Sequence, residues 1–311
     1  MSYQRLPTLV IGLAVTILSG SQSWSQTPAE RKNEGSNTTP KATEQPLSEY
    51  WTEERLRNAK PKETPSISPQ EHEAIQKKKG REKRNLQEDR ELPQRDLKAF
   101  GTPSDADVSI APYIHAGKMY FTLAGSNYSC SAQFLGDLTV VHTAAHCVRD
   151  ASTGAWATNV VFFRGFKDGT NLQVVGTVCL STKAGWVTGG AGRYKWDYAF
   201  IKTAAPSSSG YFGLKTLIPY GAWEAIGYPS NFASARIMQK FDGTKGTVTA
   251  DVVQMNGNPM RSGNSGGAWD VGGYVVGNNS YHVTGDTTSE WSPYYDSEVI
   301  NLWRYALNGC K

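Results

Sequence analysis

Short runs of β-branched and aromatic residues recur along the second two-thirds of the chain, separated by clusters of Gly, Asn, Asp and Ser. KMYFTLAG, CSAQFL, LTVVHTA, NVVFFRG, LQVVGTVCL and YAFIKTA come first, then WEAIGYP, ARIMQKF, KGTVTADVVQM, GAWDV and GYVVGNN. Strands at that spacing predict an all-β barrel or sandwich. Only the end departs from it. In SEVINLWRYALNG, Val299, Ile300, Trp303 and Leu307 follow a helical period, with Ser297 as the candidate cap and Gly309 as the stop. The order of elements fits an all-β chain of two antiparallel six-stranded-type β-barrels closed by a short C-terminal helix. A single sandwich is the alternative.

The first hundred residues carry neither pattern. Residues 1–20 hold one charge, Arg5, followed by the apolar run LPTLVIGLAVTIL and small residues up to SWS at 23–25. This is the layout of a signal peptide over residues 1–25, cut after Ser25. A membrane anchor is the other reading, but the run is shorter than the ~20 residues a spanning helix needs. Residues 26–100 are charged, poor in aromatics and without cysteine, so they bury too little apolar surface to offset the entropy of ordering. They read as a disordered pro-segment with a short helix near 48–59, and residues 101–311 as the folded domain.

Charge changes this picture little. The formal net charge is +4, and within 101–311 fifteen Lys and Arg face fourteen Asp and Glu. The basic run KKKGREKR at 77–84 stands beside Glu and Asp and reads as a solvated, easily cut stretch, not a nucleic-acid surface. All four cysteines lie in the folded part, and an even number behind a leader implies two disulfides in an oxidising compartment. Four cysteines allow three pairings.

The chemistry gathers around RSGNSGGAWD, residues 261–270, where glycines surround Ser265. Such a loop suits a nucleophile beside converging amides, and equally an ordinary hairpin turn. Upstream, VHTAAHCV places His146 among small residues, and RYKWDYAFIK carries Asp197 into an apolar strand, where a carboxylate needs a donor such as an imidazole N–H. His142 and His115 lack that context; His142 reads as packing or surface, and Asp168, in a turn sequence, is the weaker acid candidate.

TAAHC, DYAFI and GNSGG, in the order His, Asp, Ser, resemble the chymotrypsin-fold (trypsin-like) serine proteases over about residues 110–310. The GKMYFTL…YSCSAQFL lead-in and GNSGG are similar to the secreted bacterial glutamyl endopeptidase-like branch. The resemblance implies Ser265 as nucleophile, His146 as general base and Asp197 as its orienting partner, with the amides of Gly263 and Ser265 as the oxyanion hole. It also implies the bridge Cys130–Cys147, which leaves Cys179–Cys310 as the second pair. No metal or other cofactor is implied: the histidines show no HExxH or paired-ligand spacing.

Two positions depart from the animal enzymes of that family. Asn264 stands where they carry an Asp that binds the new amino terminus, and no Asp stands six residues before Ser265. Arg261, Ser262, Asn279, Tyr281 and His282 are the candidates for contacting substrate, in a pocket expected to be polar and without fixed negative charge. The expected function is a secreted serine endopeptidase, extracellular or periplasmic. It is made as a precursor and acts as a monomer on protein or peptide substrates, with no nucleic-acid partner and no membrane attachment after signal cleavage. A protease-like binding protein that has lost turnover is the alternative.

Overall fold

The computed structural model of the chain describes residues 34–38, 46–77, 103–217 and 221–311; the predicted signal peptide lies outside them. Six strands, Ala116–Leu123, Ser126–Phe134, Val140–Thr143, Thr158–Arg164, Gln173–Lys183 and Ala199–Thr203, pair antiparallel around a closed ring. Closure leaves only short stretches of strand edge unpaired within the ring, such as Tyr128–Ser129, and turns alternate side chains inward. Met119, Phe121, Phe134, Phe162, Leu180 and Ile201 fill the interior.

The second half repeats the architecture. Ala222–Gly227, Gln239–Val248, Val252–Asn256, Ala268–Val271, Tyr274–Asn278 and Ser289–Pro293 form one antiparallel sheet. Its end strands come round to each other, where Asn278 N–H donates to Ser292 Oγ at 2.9 Å and Ser280 N–H to the Trp291 carbonyl at 3.1 Å. Inside it Trp223 and Trp269 stack with centroids 5.5 Å apart. A third apolar cluster joins the barrels, drawing Tyr120 and Phe163 from the first, Ile226 and Met238 from the second, and Val299 and Leu302 from the C-terminal helix.

That helix spans Ser297–Leu307, but its cap is Asp296, not Ser297: the Asp296 side chain accepts from Glu298 N–H at 2.8 Å. Val299, Leu302 and Ala306 are the fully covered positions. Trp303 and Leu307 pack from the rim, and Ile300 stays partly exposed. The helix packs on the first-barrel strands Val140–Thr143, Gln173–Lys183 and Ala199–Thr203, and a single row of its apolar residues is fully covered. Both expected disulfides are present, Cys130–Cys147 and Cys179–Cys310, and the second ties the residues after the helix to the first barrel.

The expectation of disorder across 26–100 is corrected for residues 46–77, which are ordered and lie on the two barrels. The helix expected near 48–59 is two short ones, Leu47–Tyr50 and Glu53–Asn58, followed by the two-residue strands Lys60–Pro61 and Ser66–Ile67 and the helix Pro69–Lys77. Trp51 is buried against Tyr120 and donates from Nε1 to the Asn159 carbonyl at 2.7 Å. Ile67 and Ile75 are buried with Val252, Tyr281 and Trp291. The segment has few apolar side chains, but those few fall into grooves that the domain already provides, which composition averaged over 75 residues does not reveal.

Candidate active site

His146 sits in the 3₁₀ turn Ala145–Cys147, directly after the strand Val140–Thr143. The Cys130–Cys147 bridge pins this turn to the neighbouring strand. Asp197 ends a 3₁₀ stretch, two residues before the strand Ala199–Thr203, and is fully buried. Its carboxylate accepts from His146 N–H at 2.9 Å and from His146 Nδ1 at 2.8 Å. With Nδ1 donating, the lone pair of a neutral ring lies on Nε2, which has no hydrogen-bond partner among the described residues.

Sequence reasoning missed the groups that support this pair. Ser280 Oγ donates to Asp197 Oδ2 at 2.5 Å, and Asn278 Nδ2 donates to the Asp197 carbonyl at 3.2 Å. Behind them runs a buried relay. Gln133 Nε2 donates to His142 Nδ1 at 2.5 Å, so His142 Nε2–H donates to Tyr295 Oη at 2.8 Å, and Tyr295 in turn donates to Asn278 Oδ1 at 2.7 Å. Gln133 Nε2 also reaches the Gly266 carbonyl at 3.1 Å, so one network touches both the Asp197 and the Ser265 loops. Burial pushes the His142 imidazole down to about 3, which keeps it neutral in this network. No sequence motif announces the relay, because its members lie on four separate strands or loops.

Ser265 lies in a tight loop between Asn258 and Ala268. Gly263 and Gly266 hold φ of +92° and +80°, values that disfavour any side chain. Ser131 ties the loop to the first barrel: its N–H donates to the Ser265 carbonyl at 2.9 Å and its Oγ to the Gly263 carbonyl at 2.8 Å. Ser265 has no solvent exposure, and its Oγ meets Thr64 Oγ1 at 3.5 Å. The Gly263 N–H donates to the Lys62 carbonyl at 2.8 Å. Asn264 is buried, and its Oδ1 accepts from Thr64 Oγ1 at 2.9 Å.

The remaining candidates separate. Asn279 is fully engaged: Oδ1 accepts from Asn258 Nδ2 at 2.9 Å and Trp269 Nε1 at 2.8 Å, while Nδ2 donates to the Ile226 and Asn264 carbonyls. Tyr281 is buried, stacked on Trp291. The Ser262 carbonyl accepts from Ser230 N–H at 2.7 Å, and His282 N–H donates to the Pro65 carbonyl at 3.0 Å. Arg261 turns inward, with Nη1 3.2 Å from Glu290 Oε2 and Nη2 donating to the Asp286 carbonyl at 2.8 Å. Glu290, fully buried, is therefore a carboxyl that sequence reasoning did not place here. Burial pushes it well above the usual carboxylate range, against the opposing pull of Arg261. His115 stands apart, its ring on Phe212, and Asp168 pairs with Arg236 in an exposed turn. Cys130, His146 and Cys147 are the one grouping of metal-ligand residue types among the described residues, but the two sulfurs are bonded to each other and supply no thiolate.

Among solved structures the chain is similar to a thermostable serine protease, AL20, from an extremophilic microorganism, at 26% identity with a TM-score of 0.57, covering 63% of this chain and 98% of that one. This is the two-barrel fold of the chymotrypsin-like serine proteases. The protease Anisep from Arthrobacter nicotinovorans shares it at 24% identity and a TM-score of 0.58, over 68% of this chain and all of that one. A Glu endopeptidase shares it at 21% identity and 0.57, over 66% and 95%. No protein-family model matches the chain, and no curated protein matches its sequence.

Proposed function

We propose that the chain is a secreted serine endopeptidase, made as a precursor, that cuts peptide bonds through an acyl-enzyme on Ser265. The observation that carries this reading is the held imidazole. His146 Nδ1 is fixed at 2.8 Å to a buried, triply hydrogen-bonded Asp197, with Nε2 unpartnered among the described residues. In this reading Ser265 Oγ attacks the carbonyl carbon as its proton passes to His146 Nε2. The amides of Gly263 and Ser265 stabilise the resulting oxyanion, and the C–N bond breaks as His146 returns the proton to the leaving amine. Water then repeats the cycle on the ester. Residues 1–25 serve as signal peptide, 26–100 as the precursor segment and 101–311 as the protease domain. The two disulfides support an oxidising destination outside the cytoplasm, and none of the described helices is long and apolar enough to cross a membrane. The enzyme acts as a monomer on peptide or protein substrates, without nucleic acid.

Ser280 should matter for the rate. Its hydroxyl is the third donor to Asp197, and a hydrogen bond to a charged group contributes about 1.5–3 kcal/mol. Ser280→Ala should therefore lower kcat about tenfold or more with KM nearly unchanged. Steady-state kinetics showing kcat within twofold of wild type would remove Ser280 from the site.

In this reading the side chain preceding the cut, P1, enters beside Arg261, which faces Glu290. The expectation of a polar site without fixed negative charge meets one buried acid, Glu290, whose protonated form burial favours against the opposing pull of Arg261. A cationic P1 residue would enter beside a like charge. Cleavage after Glu or neutral residues is expected over cleavage after Lys or Arg. Matched peptides differing only at P1, cut by the chain freed of its N-terminal segment, test both activity and preference. A higher kcat/KM for Arg than for Glu, Gln and Leu would overturn the preference, and no hydrolysis of any peptide would overturn the function.

A further inference from the structure

The groove that holds residues 60–67 is the same one that presents Ser265. Lys62 N–H donates to the Ser129 carbonyl at 2.8 Å, and the Lys62 carbonyl accepts the Gly263 N–H at 2.8 Å. Thr64 Oγ1 then covers Asn264 and Ser265. The Pro65 carbonyl accepts from His282 N–H at 3.0 Å and the Ile67 carbonyl from Thr284 N–H at 2.8 Å. Short ladders on both sides of Ser265, Lys60–Pro61 on Tyr128–Ser129 and Ser66–Ile67 on His282–Val283, run parallel and fix the direction of the segment. Flanking contacts hold it down: Trp51 at one end, and at the other Ile67, Ile75 and the His72 ring, whose centroid lies 4.3 Å from that of Trp291.

We infer that residues 46–77 are a built-in inhibitor, a peptide partner that binds the substrate groove without being cut. This rests on the proposed role of Ser265. Two features separate the segment from a substrate. The Lys62 carbonyl takes the Gly263 amide as a scissile carbonyl would, yet the hydrogen-bond partner of Ser265 Oγ is the Thr64 hydroxyl. His146 Nε2 has no partner among the described residues, so the proton relay from Ser265 is not assembled beneath the segment. Ladder hydrogen bonds with side chains seated in adjacent pockets are the general mode by which an extended peptide joins a sheet edge. Here the joined peptide belongs to the same chain, at high effective concentration.

The test uses the full chain and Ile67→Asp, which puts a charge into the Tyr281–Trp291 cluster without touching the catalytic residues. Reaction with a fluorophosphonate probe reports an accessible, activated Ser265, and amide hydrogen exchange at Gly263 and His282 reports docking independently of catalysis. The expected result is slow labelling of the wild-type chain with protected amides, at least tenfold faster labelling and faster exchange in Ile67→Asp, and suppression again by a synthetic peptide of residues 46–77. Equal labelling rates in the two chains, or fast exchange at both amides in wild type, would overturn the inference. If the amides open in Ile67→Asp and neither chain labels, the docking stands while the reading of Ser265 as an activated nucleophile falls, and inhibition falls with it.

Discussion

Ser265→Ala removes nearly all peptide hydrolysis, His146→Ala does the same, and the double variant is hardly worse than either. The expectation follows from their acting as one unit: without the base the hydroxyl is a poor nucleophile, and without the nucleophile the base has no proton to take. For groups working in this way a single loss is on the order of 10⁴- to 10⁶-fold in kcat, and the residual rate comes from the oxyanion donors and binding. The measurement is turnover of one peptide by wild type, both single variants and the double, each freed of residues 46–77. Losses that multiply in the double variant would mean that the two residues act independently, which the proposed chemistry does not allow.

Gly266→Ala is expected to lower stability by about 3 kcal/mol or more and to abolish activity with it. The residue has φ +80°, and a Cβ there would overlap Thr143 Oγ1 and lie 2.6 Å from both the Ala144 nitrogen and the Ser131 carbonyl oxygen. Two of these neighbours are backbone atoms beside the His146 turn, so relief requires moving the loop away from the first barrel. Gly285→Ala is the control, since its φ is +88° with no atom within 4 Å of an added Cβ, and only the dihedral cost of about 1 kcal/mol applies. Thermal unfolding should separate them, with the melting temperature falling roughly 6 °C or more for Gly266→Ala and several degrees less for Gly285→Ala. Equal shifts would show that the elbow is not held against the first barrel as described.

What could be read from the chain was whatever a short stretch decides by itself. Runs of β-branched and aromatic residues such as KMYFTLAG and NVVFFRG placed strands of the first barrel, because strand preference and the turn residues that bound each run are local properties. TAAHC, DYAFI and GNSGG carried the candidate residues for the same reason: turn geometry and small neighbours lie within a few positions of each. Even here the reach of local signals was limited. Ser297 was the better cap by position, but Asp296 took it because its carboxylate accepts from Glu298 N–H at the start of the helix.

Tertiary structure alone decided what meets what. Ser280, Asn278, Tyr295 and Gln133 carry no motif, and they matter only because separate strands of both barrels bring them beneath Asp197 and Gly266. Glu290 is an unremarked acid in the chain and a buried partner of Arg261 in the fold. The charged segment 46–77 shows the reason most plainly. Alone, its few apolar side chains cannot offset the entropy of ordering, whereas on the folded domain Trp51, Ile67 and Ile75 enter apolar clusters and its backbone pairs with Tyr128–Ser129 and His282–Val283. Sequence determines what a segment can bury, and the rest of the fold determines whether there is a place to bury it.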